Sequence, residues 1–348
     1  MNNLLIAFGF FVLVSMVSCD TESKVEAPDT SHIHFSELAF IRFDQMVSKM
    51  NADKVEQAYL NVVERHPIFT DLYFKRILNF PSENQDSFYS TISSFLKADA
   101  IIRLQDTIDH IYPNTKDVEA EFVQAFKFLK YYFPQYKIPD VYFFQSEFGY
   151  QTIIFSDMEK DGVAVGLDMF LGEDFNYKKI DPRNPAFSDY LTRSYNKDHI
   201  VRKTLWMILD DIVGQANGKR FIDQIIHKGK KLYILDKLMP FTNDTIVYEF
   251  SEDQWNWLNS NELEMWTYFL ENELMYETNH LKIDKYVNPA PNSPGMPATA
   301  PGRTGAFIGS KIIEAYMKRN PEADIKKLIA LTDAQKLMEM SKYKPKRR

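Results

Sequence analysis

A single cysteine, Cys19, is the feature that most constrains how these 348 residues can fold. One thiol cannot form an intrachain disulfide, so buried apolar side chains must hold the folded chain together. The composition supplies them, because 45% of the residues are hydrophobic and the chain carries 27 Phe and 19 Tyr. A chain of this length can bury one large core or two closely packed subdomains.

The position of Cys19 indicates export and acylation. Residues 4–17 form an apolar run, LLIAFGFFVLVSMV, which is shorter than the roughly 20 residues that a membrane-spanning helix needs. A short apolar segment near the N-terminus, followed by small residues, is typical of a signal peptide. The four residues Met16-Val17-Ser18-Cys19 resemble a bacterial lipobox. We predict a signal peptide over residues 1–18, with cleavage before Cys19. Fatty acylation of Cys19, for example with palmitate, would then anchor the protein to a membrane of the cell envelope, outside the cytoplasm.

Charge and composition divide the rest of the chain. Residues 19–35 are polar and predict a lipid-anchored tether, and residues 36–341 predict a single globular domain. The formal charge is −7, and five of the last seven residues are basic, so the body carries about −12. This balance argues against a nucleic-acid partner, which requires a basic surface. We expect the basic tail, residues 342–348, to be disordered.

Hydrophobic periodicity predicts a mainly helical α+β domain. Residues 36–135 and 241–341 show apolar residues at helical spacing, and a Pro/Gly-rich loop over 288–305 interrupts the second part. Three short runs rich in Val, Ile, Tyr and Phe, near the start of residues 136–240, predict a small antiparallel β-meander packed with helices. Two further helices are expected from about His199 to Gln215 and from about Lys219 to Leu238.

Three segments carry a family resemblance: AVGLDMFLGEDF (164–175), DQIIHKGKKLYILDKLMP (223–240) and APGRTGAFIGSKIIEAYMKRNP (300–321). Together with the leading lipobox, they resemble the GldB family of gliding motility lipoproteins of the Bacteroidota. The resemblance implies a role in the envelope machinery of gliding motility, and in the protein secretion linked to it. It also implies a distant likeness to gluzincin zinc peptidases, whose active helix bears H-E-x-x-H.

The residues that zinc hydrolysis requires are missing from the candidate active helix. Tetrahedral zinc needs two ligands four residues apart on one helical face, with a carboxylate beside the first as general base. The ligand-type residues of this helix are Asp198, His199, Asp210 and Asp211, and none has a second ligand four residues later. On the next helix, Lys228 precedes Gly229, where the fold would need an acidic ligand. We therefore predict a gluzincin-like outline without H-E-x-x-H, with no catalytic residue, metal or cofactor.

If catalysis is absent, the protein acts by binding, and its partners are envelope proteins or peptides. The end of the Pro/Gly loop, at Arg303, Thr304 and Gly305, is the candidate partner surface. Gly309 lies inside the helix that follows, where glycine costs about 1 kcal/mol relative to alanine. Its presence predicts close packing, which we expect against the helix from His199 to Gln215.

Two alternative functions remain open at this point. One is a hydrolase with unconventional metal ligands such as Asp210, Asp211 and His227. The other is a carbohydrate-binding lipoprotein, indicated by Trp255, Trp257 and Trp266, although core packing explains such rings more often. Asp168 could be catalytic by residue type, but a carboxylate that ends a strand more often caps the next turn.

Overall fold

The computed structural model describes residues 27–156 and 160–346. The predicted signal peptide, Cys19 and most of the predicted tether lie outside the described residues, so these predictions stay predictions. Helices dominate the described part of the chain. They are α1 Phe43–Ser48, α2 Val55–Arg65, α3 Pro67–Asp71, α4 Gln85–Lys97, α5 Asp99–Ile111, α6 Lys116–Tyr132, α7 Asp189–Thr192, α8 Ile200–Val213, α9 Phe221–Leu238, α10 Asp244–Val247, α11 Glu252–Ser260, α12 Glu262–Glu271, α13 His280–Val287, α14 Thr304–Arg319, α15 Ile325–Ala330 and α16 Ala334–Ser341.

Apolar spacing accounts for the long helices. In α6, Val118, Phe122, Ala125 and Leu129 recur every three or four residues and are all buried. The predicted mainly helical α+β class is confirmed, and both α8 and α9 lie where the sequence placed them. Within residues 27–156 and 160–346, no helix is long and apolar enough to cross a membrane.

One four-stranded sheet accompanies the helices, and it differs from the predicted antiparallel meander. The strands are β1 Phe40–Arg42, β2 Asp140–Phe144, β3 Thr152–Phe155 and β4 Gly162–Gly166, in the spatial order β1-β2-β4-β3. The β1–β2 and β2–β4 pairs are parallel, and only β3–β4 is antiparallel. All five residues of β4 are buried, so this strand takes a central position, whereas β3 keeps two positions partly open at the edge. The strand β1 also lies in a region predicted to be helical.

The sheet separates two cores. Phe143 and Val165 point into the larger core, which α6, α8, α9 and α14 also fill. Tyr142 and Phe144 alternate with them and point into a smaller, aromatic core built from α1 to α4. Both faces of the sheet are therefore covered by helices, as parallel strands require.

The helices α9 and α14 pack in parallel, and around Gly229 and Gly309 their backbones are in direct contact. A Cβ atom built on Gly309 would overlap the carbonyl group of Ile225, and one built on Gly305 would meet Phe221. The expectation that Gly309 packs closely is correct, but its neighbour is α9 and not α8. Glycine spacing shows that a helix can approach, and it does not show which helix does.

The basic tail is ordered over part of its length. The Tyr343 hydroxyl donates to Glu262 Oε1 at 2.8 Å, and its ring meets Trp266 edge-on at 5.2 Å. The prediction of a disordered tail from residue 342 is therefore wrong for Tyr343 and the residues up to Lys346, whose backbone N–H also donates to Glu262. The tail is held in place because the Tyr343 ring packs against Trp266. The prediction rested on the lysines around Tyr343 and did not consider this ring.

Candidate functional site

A buried carboxylate, Glu249, organises the most charged region of the larger core. It lies between α10 and α11 in the left-handed conformation, with φ of 51°. Its Oε2 atom is 2.8 Å from Arg202 Nη1, and its Oε1 atom is 2.6 Å from Lys203 Nζ. Both cations come from the first turn of α8, and Arg202 Nε also donates to the Val247 carbonyl. The start of α8 is thereby fixed to the end of α10.

Two further arginines bind the same residue. Arg193 Nη2 and Arg303 Nη2 each donate to the Glu249 carbonyl oxygen at 2.5 Å. Arg303 Nη1 also lies 3.7 Å from Glu249 Oε2, and its guanidinium stacks 4.5 Å above the Phe250 ring. Residues Arg193, Arg202, Lys203, Glu249 and Arg303 are called the Glu249 cluster below.

The Glu249 cluster carries more positive than negative charge. Within the cluster four cations face one carboxylate, and from outside it only Glu173 is seen to attract one of them, Arg193. Burial alone would raise the pKa of Glu249, but Arg202, Lys203 and Arg303 hold it well below its usual range. Burial, together with repulsion from Arg202 and Arg193, lowers the pKa of Arg303 to about 10 in spite of Glu249. The cations therefore repel one another, although each of them is attracted to the carboxylate.

A small cavity of about 20 Å³ opens beside the Glu249 cluster. Arg193 and Arg303 line it together with Phe250, Gln254, Pro289 and Pro301. Its volume is that of one or two water molecules. Because Pro289 is exposed and Gln254 is partly exposed, the cavity communicates with the surface at the base of the Pro/Gly loop.

The Pro/Gly loop is held by its own hydrogen bonds. The Ser293 hydroxyl lies 2.7 Å from both the Pro301 carbonyl and the Thr304 hydroxyl. The hydroxyls of Tyr286 and Tyr268 donate to the Pro294 carbonyl at 2.5 Å and 3.2 Å. The loop thus presents a fixed, proline-rich surface next to the cavity.

The three residues of the predicted partner surface differ in their exposure to solvent. Thr304 is fully buried and Gly305 is also buried, so neither can form part of an exposed surface. The Arg303 side chain is 13% exposed and belongs to the Glu249 cluster. Of the three, only Arg303 reaches the cavity, and a partner at this position remains a prediction. The predicted lipidation site, Cys19, lies outside the described residues.

The alternative metal ligands are not brought together. Asp210 forms an ion pair with Lys231, whose ammonium also lies 3.9 Å from the centroid of the Trp206 ring. Burial and the neighbouring Lys228 and Lys231 lower the pKa of His227 to about 4. In the part of the chain that the structure describes, no three His, Cys, Asp or Glu side chains lie close enough to hold a metal ion.

The three tryptophans of the carbohydrate alternative pack into the protein. Trp255 contacts Tyr248 and Phe307, with ring centroids 4.8 Å and 5.7 Å away, and Trp266 contacts Tyr343. Trp257 is also partly buried against the larger core. They do not form a shared exposed platform of the kind that sugar stacking uses.

The contacts of Asp168 indicate a structural role for its carboxylate. It is fully buried, and it accepts hydrogen bonds from Ser146 N at 2.8 Å, Ser146 Oγ at 2.9 Å and Phe148 N at 2.5 Å. Glu147 and Phe148 are both left-handed, and this turn aims the two backbone N–H groups at the carboxylate. Burial raises the pKa of Asp168 to about 6 against these hydrogen bonds. Asp168 therefore caps a turn, but this turn follows β2, about 20 residues earlier in the chain, and is not the turn after Asp168 that was expected.

Four members of the Glu249 cluster were not singled out from the sequence. One feature could have indicated them, because Arg202 and Lys203 interrupt the otherwise apolar start of α8. Charged residues on a buried helix are rarely left unpaired, so a distant carboxylate was required. Which carboxylate it was could not be read from the sequence, since Glu249 follows 46 residues after Lys203.

Comparison with known proteins supports one assignment. No curated protein and no solved structure matches the chain, so the gluzincin-like outline stays a prediction. The model of the family described as "Gliding motility protein GldB" matches residues 23–345, which is nearly the whole chain. The three segments that carry the family resemblance lie within the matched residues, and the chain belongs to the GldB family of gliding motility lipoproteins.

Proposed function

We propose that this lipoprotein serves gliding motility by binding an acidic segment of another envelope protein, without catalysis. The binding site is the cavity between Arg193 and Arg303, together with the exposed face of the Pro/Gly loop. The observation that supports this proposal is the excess of positive over negative charge in the Glu249 cluster at the wall of that cavity.

The hydrogen-bond donors of the two arginines indicate the chemistry of the ligand. Arg193 uses Nε and Nη2 for the carbonyls of Tyr190 and Glu249. Among residues 27–156 and 160–346, no hydrogen bond is found from Arg193 Nη1 or from Arg303 Nε, and neither atom is fully buried without a partner. Planar guanidinium groups bind carboxylates with paired N–H donors. A carboxylate entering the cavity would satisfy these donors and offset charge that is costly to bury unpaired.

The size of the cavity selects among anions. A space of about 20 Å³ holds one or two water-sized groups, so we expect the oxygens of a single carboxylate to replace water there while the rest of the ligand stays outside. The rigid loop beside it supplies further contact area without an ordering cost at binding. An acidic peptide segment fits both features.

The substitution Gln254→Glu tests the proposal because it supplies the missing charge from within the chain. Gln254 lines the cavity and forms a capping box with Ser251 at the start of α11. Glutamate preserves that capping box. We expect the variant to keep or raise its melting temperature, since the new carboxylate compensates the arginines, while it loses gliding and the capture of its envelope partner.

The matched control is Gln85→Glu, the same change at an exposed position at the start of α4, on the other side of the sheet. It should glide normally. Normal gliding and partner capture by Gln254→Glu, at an unchanged melting temperature, would contradict the proposed site.

A further inference from the structure

A second surface of the domain lies where the chain enters it from the tether. A groove of about 500 Å³ runs between the C-terminal ends of α6, α9 and α14. Its lining includes Ala27 and Pro28, the first residues that the structure describes, together with Tyr131, Tyr233 and Ile325. The side of the domain that bears this groove is therefore the side nearest to Cys19 along the chain.

The covalent chain limits how far this groove can be from the bilayer. Eight residue steps separate Cys19 from Ala27. A fully extended chain covers at most about 3.6 Å per residue, so Ala27 lies within about 29 Å of Cys19. The limit is comparable to the length of α9, whose 18 residues span about 27 Å.

The rim of the groove exposes aromatic side chains. Phe241 is 75% exposed, although its ring also contacts Phe128 at 5.9 Å, and Tyr131 on α6 is 44% exposed. Phe241 directly follows Pro240, which lines the groove two residues after the end of α9. Aromatic residues with this exposure are favoured at the boundary between water and lipid headgroups.

Basic side chains surround the same helix ends. Lys237 lines the groove and is paired with Asp236, while Lys318 and Arg319 end α14 and are exposed. Lys326 also lines the groove, and nearby Asp324 caps α15. Cations next to exposed aromatic rings are typical of surfaces that contact anionic headgroups.

From these observations we infer that the groove face, defined by Tyr131, Pro240, Phe241 and Lys326, lies on the bilayer as a second membrane contact beside the lipid of Cys19. The inference rests on acylation at Cys19. It also orients the domain. Since α9 and α14 run in parallel, Arg303 lies at their N-terminal ends, on the side of the domain facing away from the membrane. The proposed partner site would thus face a neighbouring protein.

Site-directed labelling of the acylated full-length protein in vesicles tests this orientation. Acylation blocks the thiol of Cys19, the only cysteine of the chain, so an introduced cysteine is the only reactive one. Phe241→Cys and Tyr131→Cys would each carry a fluorophore, in vesicles of phosphatidylethanolamine and phosphatidylglycerol that contain brominated acyl chains. We expect both labels to lose most of their fluorescence by contact with bromine.

The control is Leu281→Cys, which is 88% exposed on α13, at the opposite end of α9. Tyr286 of the same helix contacts Phe221, the first residue of α9, with ring centroids 5.9 Å apart. Its label should keep its fluorescence. Unquenched labels at 241 and 131 on protein that floats with the vesicles would overturn the inference, as would equal quenching at 281.

The failure of anchoring is a separate result. If the unsubstituted protein does not float with the vesicles, or if Cys19→Ala still floats and takes up a fatty-acid probe, acylation at Cys19 is refuted and the inference falls with it. If Cys19→Ala is soluble and the labelled variants float unquenched, the lipid anchor stands and only the groove face is wrongly assigned.

Discussion

Gly229 of α9 faces Gly309 of α14, and the two helix backbones touch where these residues meet. A Cβ atom on Gly229 would collide with the backbone of Gly309, and one on Gly309 would collide with the carbonyl of Ile225. No flexible side chain can move aside at this point, because the neighbouring atoms are all backbone. The contact fixes the distance between two central helices of the larger core.

The first prediction is that Gly309→Ala destabilises the protein. Alanine gains about 1 kcal/mol of helix propensity over glycine, but overpacking a tight contact costs about 1–3 kcal/mol, and here the obstacle is backbone. We expect a net loss of up to about 2 kcal/mol in the free energy of unfolding, measured by urea denaturation. A stabilised Gly309→Ala variant would show that the helices are further apart than the structure has them.

The second prediction concerns Asp168, whose carboxylate accepts three hydrogen bonds and donates none of them. Asp168→Asn keeps the shape but replaces one acceptor oxygen with an N–H₂ group that faces a backbone N–H or the Ser146 hydroxyl. Leaving a buried donor unsatisfied costs about 1–3 kcal/mol. We expect that loss in the free energy of unfolding, with gliding retained at a temperature where the variant is folded. Lost gliding at full stability would instead support a chemical role.

The sequence predicted some features of this fold more completely than others. The bounds of α8 and α9 followed from their own apolar spacing, which each helix carries within itself. The order of the strands did not follow from such patterns, because β2 pairs directly with β4 although β3 lies between them in the sequence. Local patterns describe neighbours along the chain, and a parallel pairing joins residues that such patterns do not connect.

The candidate site shows the same limit. Arg303 was singled out because it ends a loop of unusual composition, and it does reach the cavity. Glu249 was missed because nothing in its neighbourhood distinguishes it from a surface glutamate. Only folding brings Arg193, Lys203 and Arg303 to it from separate parts of the chain.

The third prediction concerns metal. Asp210 is occupied by Lys231, and His227 lies among lysines that repel a cation. Tetrahedral zinc needs three or four converging ligands, so we expect less than about 0.1 equivalent of zinc per chain after dialysis. Elemental analysis of the purified protein provides the measurement. Near-stoichiometric zinc, whose removal by a chelator lowers the melting temperature, would favour the hydrolase alternative.

The fourth prediction uses His199, which is 7% exposed and lies beside the Glu249 cluster. Burial lowers its pKa to about 4, and the charges of Lys203, Arg202 and Arg193 add to this effect against that of Glu249. An unfolded histidine titrates near pH 6.5, so between about pH 6.5 and 4 the unfolded chain binds more protons at this residue. The stability of the folded protein must therefore fall as the pH is lowered through this window.

The substitution His199→Gln isolates this contribution, because glutamine does not titrate. A pH of 5 is about 1.5 units below the pKa of an unfolded histidine. Protonation of the unfolded chain at this residue therefore lowers the free energy of unfolding by about 2 kcal/mol. We expect the free energy of unfolding of the unsubstituted protein to fall between pH 7 and pH 5 by about that much more than for His199→Gln. Other titrating groups, including Asp168, act equally in both proteins and cancel in the difference. Equal losses in the two proteins would mean that burial and the neighbouring cations do not hold His199 in its neutral form.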